Sequence, residues 1–422
     1  MTPLRQPDTA RDAPPAHPPA SALADDAPAP RQGNPFEVLW AFLQLGLTSF
    51  GGPVAHLGYF RTEFVERRRW LDDRSYADLV ALCQFLPGPA SSQVGMALGL
   101  QRAGGLGALM AWIGFTLPSA LALIVFAYGI AQYGDLATSG AVHGLKVVAV
   151  AVVAQAVWGM AKTLCPDRPR AGLALAAALL TLVLPSALGQ VGAILVCGVV
   201  GWLALKLPQQ APVPHIGYGV SRGVGVAALA LFAVLLVGLP VLAVATGSSL
   251  WTLVDGFYRA GALVFGGGHV VLPLLQSTVV PAGVVSNADF LAGYGAAQAV
   301  PGPLFTFAAY LGAVMNGPLS GWIGGLVFLV VIFVPAFLLV VGTLPFWDGL
   351  RQRDAVRAAM AGVNAGVVGI LLSALYDPVW TSAILGRTDF GLALAAFGLL
   401  VIGRVSPVFV VLLGAAAGWW LA

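Results

Sequence analysis

Phe50-Gly51-Gly52 is followed by Pro87-Gly88-Pro89, and Phe265-Gly266-Gly267 by Pro301-Gly302-Pro303. The first residues of the two motifs are 37 positions apart in the first pair and 36 in the second. Each motif interrupts a strongly apolar stretch. Helix breakers at matched positions in two halves of a membrane chain mark a transporter site between inverted repeats.

Composition points the same way. The 422 residues are 58% hydrophobic and 9% charged, with a mean hydropathy of +0.86. Soluble domains carry about 25% charged residues, so this chain cannot cover itself with water-facing side chains. The apolar runs are long and continuous, whereas a barrel would show short alternating segments. The reading is an all-α polytopic membrane protein, because helices satisfy their own backbone in lipid. A net charge of +3 and the lack of a basic patch interleaved with aromatics argue against nucleic acid as a partner. Cys83, Cys165 and Cys197 form neither a disulfide framework nor a metal site.

Residues 1–34 are rich in Pro, Ala and Asp and read as a disordered tail. A first repeat is assigned to 35–207, a linker and connecting transmembrane helix to 208–246, and a second repeat to 247–422. Matched motifs are legible over roughly 36–161 and 252–376. They include Pro118 against Pro335, and Gly144-Leu145-Lys146 against Gly362-Val363-Asn364. Loop 61–78 holds five arginines, and its counterpart 276–289 holds neither Lys nor Arg; loop 133–143 has none, and its counterpart holds Arg351, Arg353 and Arg357. Under the positive-inside rule this inverted bias sets the halves upside down relative to each other. The charge sides agree only if the segments broken at Phe-Gly-Gly and Pro-Gly-Pro are re-entrant. The expected fold is therefore two inverted-topology repeats with re-entrant, broken helices. Loops 61–78 and 346–361 are expected on the cytoplasmic side, and loops 133–143 and 276–289 outside.

A broken helix at membrane depth is tolerated where it lines a cavity, and a helix start binds anions. The candidate binding residues are therefore Phe50, Gly51, Gly52, Pro87, Gly88 and Pro89, with Phe265, Gly266, Gly267, Pro301, Gly302 and Pro303. To these are added the nearby donors Ser91, Ser92 and Thr306 and the matched pair Gln84 and Gln298. Kinks made only for packing are the alternative; the duplication favours a site. Among charges, Arg259 leads towards Phe265 and is the first choice to face an anion. Lys146, Arg61, His56 and His269 are candidates for a proton or charge role. Metal-ligand spacing, a nucleophile elbow and a phosphate loop are not found, so neither an enzyme nor a cofactor is expected.

The stretch Gly46 to Pro53, with His56, Tyr59-Phe60-Arg61, Glu63 to Trp70 and Gln84 to Met96, resembles the first signature of the chromate ion transporter family. Phe265-Gly266-Gly267-Gly268-His269, then Gly293 to Leu311, resembles its second. The likeness covers nearly the whole chain after the tail. It implies the long-chain, two-domain form, which exports chromate from bacterial cytoplasm across the inner membrane and confers chromate resistance. Sulfate or another oxyanion, or an anion channel, are the alternatives, and a homo-oligomer is compatible with the sequence. Efflux also fits physics: a dianion leaving an inside-negative cell gains about 4.6 kcal/mol at 100 mV.

Overall fold

The computed structural model describes residues 33–49, 52–132, 140–185, 187–207, 218–264, 271–350 and 353–421. Residues 1–32 lie outside this set, and so do Phe50, Gly51, 133–139, 208–217, 265–270 and Arg351. The described elements are helical throughout. The first repeat holds α1 (Pro35–Thr48), α2 (Gly52–Arg61), α3 (Asp73–Phe85), α4 (Ala90–Gln132), α5 (Gly140–Leu164), α6 (Arg168–Val183) and α7 (Ala187–Ala204). A connecting helix, α8 (Arg222–Thr246), follows. The second repeat holds α9 (Ser249–Leu263), α10 (Val271–Val279), α11 (Asn287–Ala299), α12 (Phe307–Val314), α13 (Gly321–Thr343), α14 (Asp354–Ala374), α15 (Arg387–Val401) and α16 (Pro407–Leu421). Local chemistry sets several starts. Asn34 accepts from the Phe36 N–H ahead of Pro35, and Asp167 and Ser221 cap α6 and α8 in the same way.

Helix length separates two kinds of element. Among the described residues, five stretches, carried by α4, α5, α8, α13 and α14, are long and apolar enough to cross a membrane. By contrast α1, α2 and α3 have 14, 10 and 13 residues. A crossing takes about 20. α4 is itself two helices, because Ala103 and Gly104 leave helical geometry, Gly104 at φ +65°. Its halves, 90–102 and 105–132, fold back against each other where Gly99 and Gly107 meet backbone to backbone. A Cβ on Gly99 would lie 2.3 Å from the Gly107 carbonyl. α12 and α13 form the matching hairpin, closed by Gly312 against Gly324, with Gly321 at φ +61° in the turn.

A charged layer shows how the short helices run. Glu37, at the start of α1, pairs with Arg102 at the end of the first half of α4 (3.1 Å) and lies 4.0 Å from Arg68, which follows the π-helical turn Thr62–Arg67 that continues α2. Arg61, at the end of α2, pairs with Asp73, at the start of α3 (2.7 Å). The Trp70 ring sits against the Arg68 and Arg102 guanidiniums. Both outer ends of α1–α2, and both outer ends of α3 with the first half of α4, therefore share one layer. Each pair enters and returns: these are re-entrant hairpins. In the second repeat the equivalent outer ends are joined without charge. The Asn316 N–H donates to the Val284 carbonyl (2.8 Å), and Gln276 Nε2 donates to Asn287 Oδ1 (3.0 Å).

The second layer is on the opposite side. The long half of α4 leaves the charged layer and extends for about 42 Å at 1.5 Å per residue. Near its far end the Tyr128 hydroxyl accepts from the Trp322 N–H at the start of α13 (3.2 Å). α13 then runs back, and just beyond it Trp347 Nε1 donates to Asp78 Oδ2 of α3 (3.3 Å). The two repeats are thus inverted, with the long half of α4 antiparallel to α13. Segment 61–78 and the residues after α13 share a face, and 280–286 lies on the other.

Structural equivalence continues past the last matched motif, into α6–α7 and α15–α16. These pairs are exchanged between repeats. α14 of the second repeat packs on α6 and α7 of the first, and α5 of the first packs on α15 and α16 of the second. Glycine makes both contacts possible. A Cβ on Gly362 would lie 2.1 Å from the Cys197 carbonyl, and one on Gly144 would lie 2.0 Å from the Gly414 carbonyl. Such small-residue faces let helix backbones touch, which is how helices pack in lipid.

Candidate functional site

The two Pro-Gly-Pro breaks are built alike. Gly88 has φ +120° and Gly302 φ +104°, a region closed to residues with a Cβ. The Gly88 N–H donates to the Val264 carbonyl (2.5 Å), and the Gly302 N–H donates to the Ser49 carbonyl (3.0 Å). Val264 and Ser49 are the residues immediately before the two Phe-Gly-Gly motifs. Each Pro-Gly-Pro is therefore clasped to the residue that precedes the Phe-Gly-Gly motif of the other repeat. The N–H groups of Gly88 and Gly302 are thereby engaged between the repeats. Each break also rests on the kinked long helix of the opposite repeat. Gly88 lies against Ala336, beside Pro335, and Gly302 against Ser119, beside Pro118.

Around the clasps lies a buried polar cluster. Ser49, His56, Ser91, Ser92, Gln93, Thr116, Ser119 and Thr306 are all 3% exposed or less. His56 Nδ1 and Ser91 Oγ are 3.3 Å apart, and the Phe115 ring meets the imidazole edge-on at 5.2 Å. Gln93 Nε2 donates to the Pro87 carbonyl (2.7 Å), and Thr306 Oγ1 to the Pro303 carbonyl (2.7 Å). Ser119 Oγ donates to the Thr116 carbonyl (3.0 Å). Among the described residues, Ser49 Oγ, His56 Nε2, Ser92 Oγ, Gln93 Oε1, Thr116 Oγ1 and Gln298 Nε2 are buried without a partner. A buried polar atom left unpaired costs about 1–3 kcal/mol. That cost is what a site held ready for a polar ligand carries.

The cluster is one-sided, which the symmetric motifs do not suggest. Ser91, Ser92 and Gln93 correspond to Phe305, Thr306 and Phe307. Thr116 and Ser119 correspond to Phe333 and Ala336, His56 to Val271, and Ser49 to Val264. The first repeat supplies hydrogen-bonding groups and the second supplies mostly apolar walls.

The other expected residues fall as follows. Gly52 (φ +77°) opens α2. Phe50, Gly51, Phe265, Gly266, Gly267 and His269 lie outside the described residues. Pro87, Pro89, Pro301 and Pro303 flank the clasped glycines. Gln84 is exposed, while its counterpart Gln298 is half-buried. Arg259 is held by both oxygens of Asp255, one turn earlier (2.7 and 2.8 Å). Arg61 belongs to the charged layer, paired with Glu66 and Asp73, and Lys146 at the start of α5 interacts with Asp289. Gln93, Thr116 and Ser119 were not expected. Their signal is visible afterwards: polar side chains within otherwise apolar runs, two of them flanking Pro118. A cleft of about 850 Å³ between α1 and α2, lined among others by Gln44, Thr48, Tyr59, Glu63 and Arg67, leads from the charged layer towards the break.

The family description "Chromate transporter" matches residues 36–202 and 251–419, which are the two inverted halves built above. The chain belongs to the chromate transporter family. A chromate transport protein of Pseudomonas aeruginosa is 28% identical over 90% of each chain. One of Cupriavidus metallidurans is 25% identical over 80% of this chain and 81% of its own. An uncharacterized transporter of Methanocaldococcus jannaschii is 25% identical over 81% and 84%. No solved structure matches. The family's two matched regions thus coincide with a multi-pass membrane fold whose two Pro-Gly-Pro breaks meet at one buried polar cluster.

Proposed function

We propose that the protein carries chromate across the bacterial inner membrane, out of the cytoplasm, and so confers chromate resistance. The observation that carries this reading is the buried polar cluster at the crossed clasps, which holds several polar atoms without a partner among the described residues. It offers hydroxyl, amide and imidazole groups to a tetrahedral oxyanion. The Phe-Gly-Gly and Pro-Gly-Pro residues line the path, with Ser91 and Ser92 donating and Thr306, its hydroxyl given to the Pro303 carbonyl, packed beside them. The charged layer faces the cytoplasm, in keeping with the positive-inside rule, and the α1–α2 cleft admits the anion there. Alternating access follows from the two clasps. Releasing Gly302 from Ser49 while Gly88 stays on Val264, and then the reverse, exposes the cluster to each side in turn.

Membrane voltage is sufficient to drive export. An outward-moving anion gains about 2.3 kcal/mol per charge at 100 mV, enough for a gradient of about fiftyfold for a monoanion and above about a thousandfold for a dianion. The test is chromate flux in proteoliposomes under imposed voltage, with and without sulfate. Saturable chromate flux that follows the voltage is expected. Absence of chromate flux from folded protein, or flux unmoved by reversing the voltage, overturns the reading. Equal saturable transport of sulfate reassigns the substrate to oxyanions in general.

A further inference from the structure

We propose that the site takes its oxyanion as the singly protonated monoanion, and that Gln93 is the residue that reads the proton. This rests on the oxyanion-transport reading above and adds the protonation state and the basis of selectivity. Gln93 stands four residues past Pro89 in the first turn of α4 and is completely buried. Its Nε2 donates to the Pro87 carbonyl at 2.7 Å. A carbonyl can only accept, so this bond fixes which way the amide points. Its Oε1 is then necessarily presented as an acceptor, and it is buried without a partner among the described residues. The amide lies against the break itself: a Cβ on Gly88 would sit 2.8 Å from Nε2.

A fully ionised oxyanion has acceptor oxygens only, and one turned towards Gln93 Oε1 sets lone pair against lone pair. A protonated oxyanion turns its O–H to Oε1 and its remaining oxygens to Ser49, Ser92, Thr116 and His56. Burial energy favours the same species. The Born cost of a buried ion rises with the square of its charge, and a helix end returns at most about 2 kcal/mol. The nearby guanidiniums are engaged, Arg259 by Asp255 and Arg61 by Glu66 and Asp73. Hydrogen chromate loses its proton close to neutrality, whereas hydrogen sulfate does so only in strong acid. The same acceptor therefore admits chromate and turns sulfate away.

Other ionisable groups lie on the elements packed against α4: Glu37 on α1, His56, Tyr59 and Arg61 on α2, Asp73, Tyr76, Asp78 and Cys83 on α3, Asp289 and Tyr294 on α11, and Tyr310 on α12. The experiment is therefore read on the substrate's charge as well as on pH. Purified full-length protein in proteoliposomes is given chromate at about pH 7 and about pH 8, and the reversal potential is measured. The half-saturating total chromate is expected to rise about tenfold over that unit, following the protonated fraction. The reversal potential is expected to move about 59 mV per tenfold gradient of the monoanion, against about 30 mV for a dianion. Sulfate is expected to compete at least tenfold more weakly than chromate, and Gln93→Leu to narrow that gap. Should Gln93→Leu fail to insert, the wild-type potential and competition decide alone. Chromate flux with a two-charge potential, or with sulfate competing equally, overturns this inference and leaves oxyanion transport standing. No chromate flux at either pH overturns both.

Discussion

Replacing Gly302 by alanine tests whether the crossed clasps hold the two repeats together. Gly302 sits at φ +104°, and a Cβ there would lie 2.9 Å from Ser119 Oγ and 3.2 Å from the Phe115 carbonyl. The left-handed backbone alone costs a non-glycine residue about 1–2 kcal/mol. Crowding of the long half of α4 adds about 1–3 kcal/mol, and weakening the bond to Ser49 adds about 0.5–1.5 kcal/mol. Relaxation shares these terms, so about 3–4 kcal/mol in all is expected. Gly247 is the control, because it has φ +60° with nothing within 4 Å of its ideal Cβ. Gly247→Ala should carry only the backbone term. The difference, about 2 kcal/mol, corresponds to about two degrees in the unfolding midpoint, read by thermal scanning in detergent alongside transport. Ser119→Ala removes the nearer contact, so the double variant should recover about 1 kcal/mol as coupling. If Gly302→Ala loses no more than Gly247→Ala, and Ser119→Ala recovers nothing, the clasp does not hold the repeats.

Two further outcomes are expected. In a background lacking Cys83, Cys165 and Cys197, cysteines at His143 and Asp389, whose side chains meet at 2.8 Å between α5 and α15, should be joined by a short bifunctional thiol crosslinker, seen as a mobility shift without dimer; its absence would refute the exchanged packing. Arg259→Gln leaves the Asp255 carboxylate, 15% exposed, without its partner, and should weaken chromate half-saturation about tenfold through a cost of about 1–2 kcal/mol. Asp255→Asn added to it should restore affinity if the pair only balances itself, whereas a double variant that stays weak would place Arg259 against the anion.

Much of the fold could be read from residue order because membrane solvation is a local constraint. Length and apolarity mark the crossings, and arginine placement in loops 61–78 and 346–361 marks which halves are inverted. Phe-Gly-Gly and Pro-Gly-Pro announce the breaks because glycine and proline forbid a continuous helix wherever they occur. The same local reasoning located Ser91, Ser92, His56 and Thr306, each within a few residues of a motif.

What it could not supply is pairing across the molecule. That the Gly88 N–H meets Val264, and that the Gly302 N–H meets Ser49, depends on two segments some 176 and 253 residues apart arriving at one point. Nothing in the spacing within either repeat distinguishes a clasp inside a repeat from one between repeats. The exchange of α6–α7 with α15–α16 is hidden for the same reason, since Gly144 and Gly362 are small-residue contacts without a named partner. The one-sided cluster also emerged only in three dimensions. Gln93, Thr116 and Ser119 are ordinary polar residues in apolar runs until α4 folds back on itself and α2 lays His56 beside Ser91. The sequence by itself determined where the chain breaks and which halves correspond, because those are properties of single segments in lipid. Only the tertiary structure decided which breaks touch and which polar atoms are left facing one another, because burial and hydrogen bonding are settled between segments.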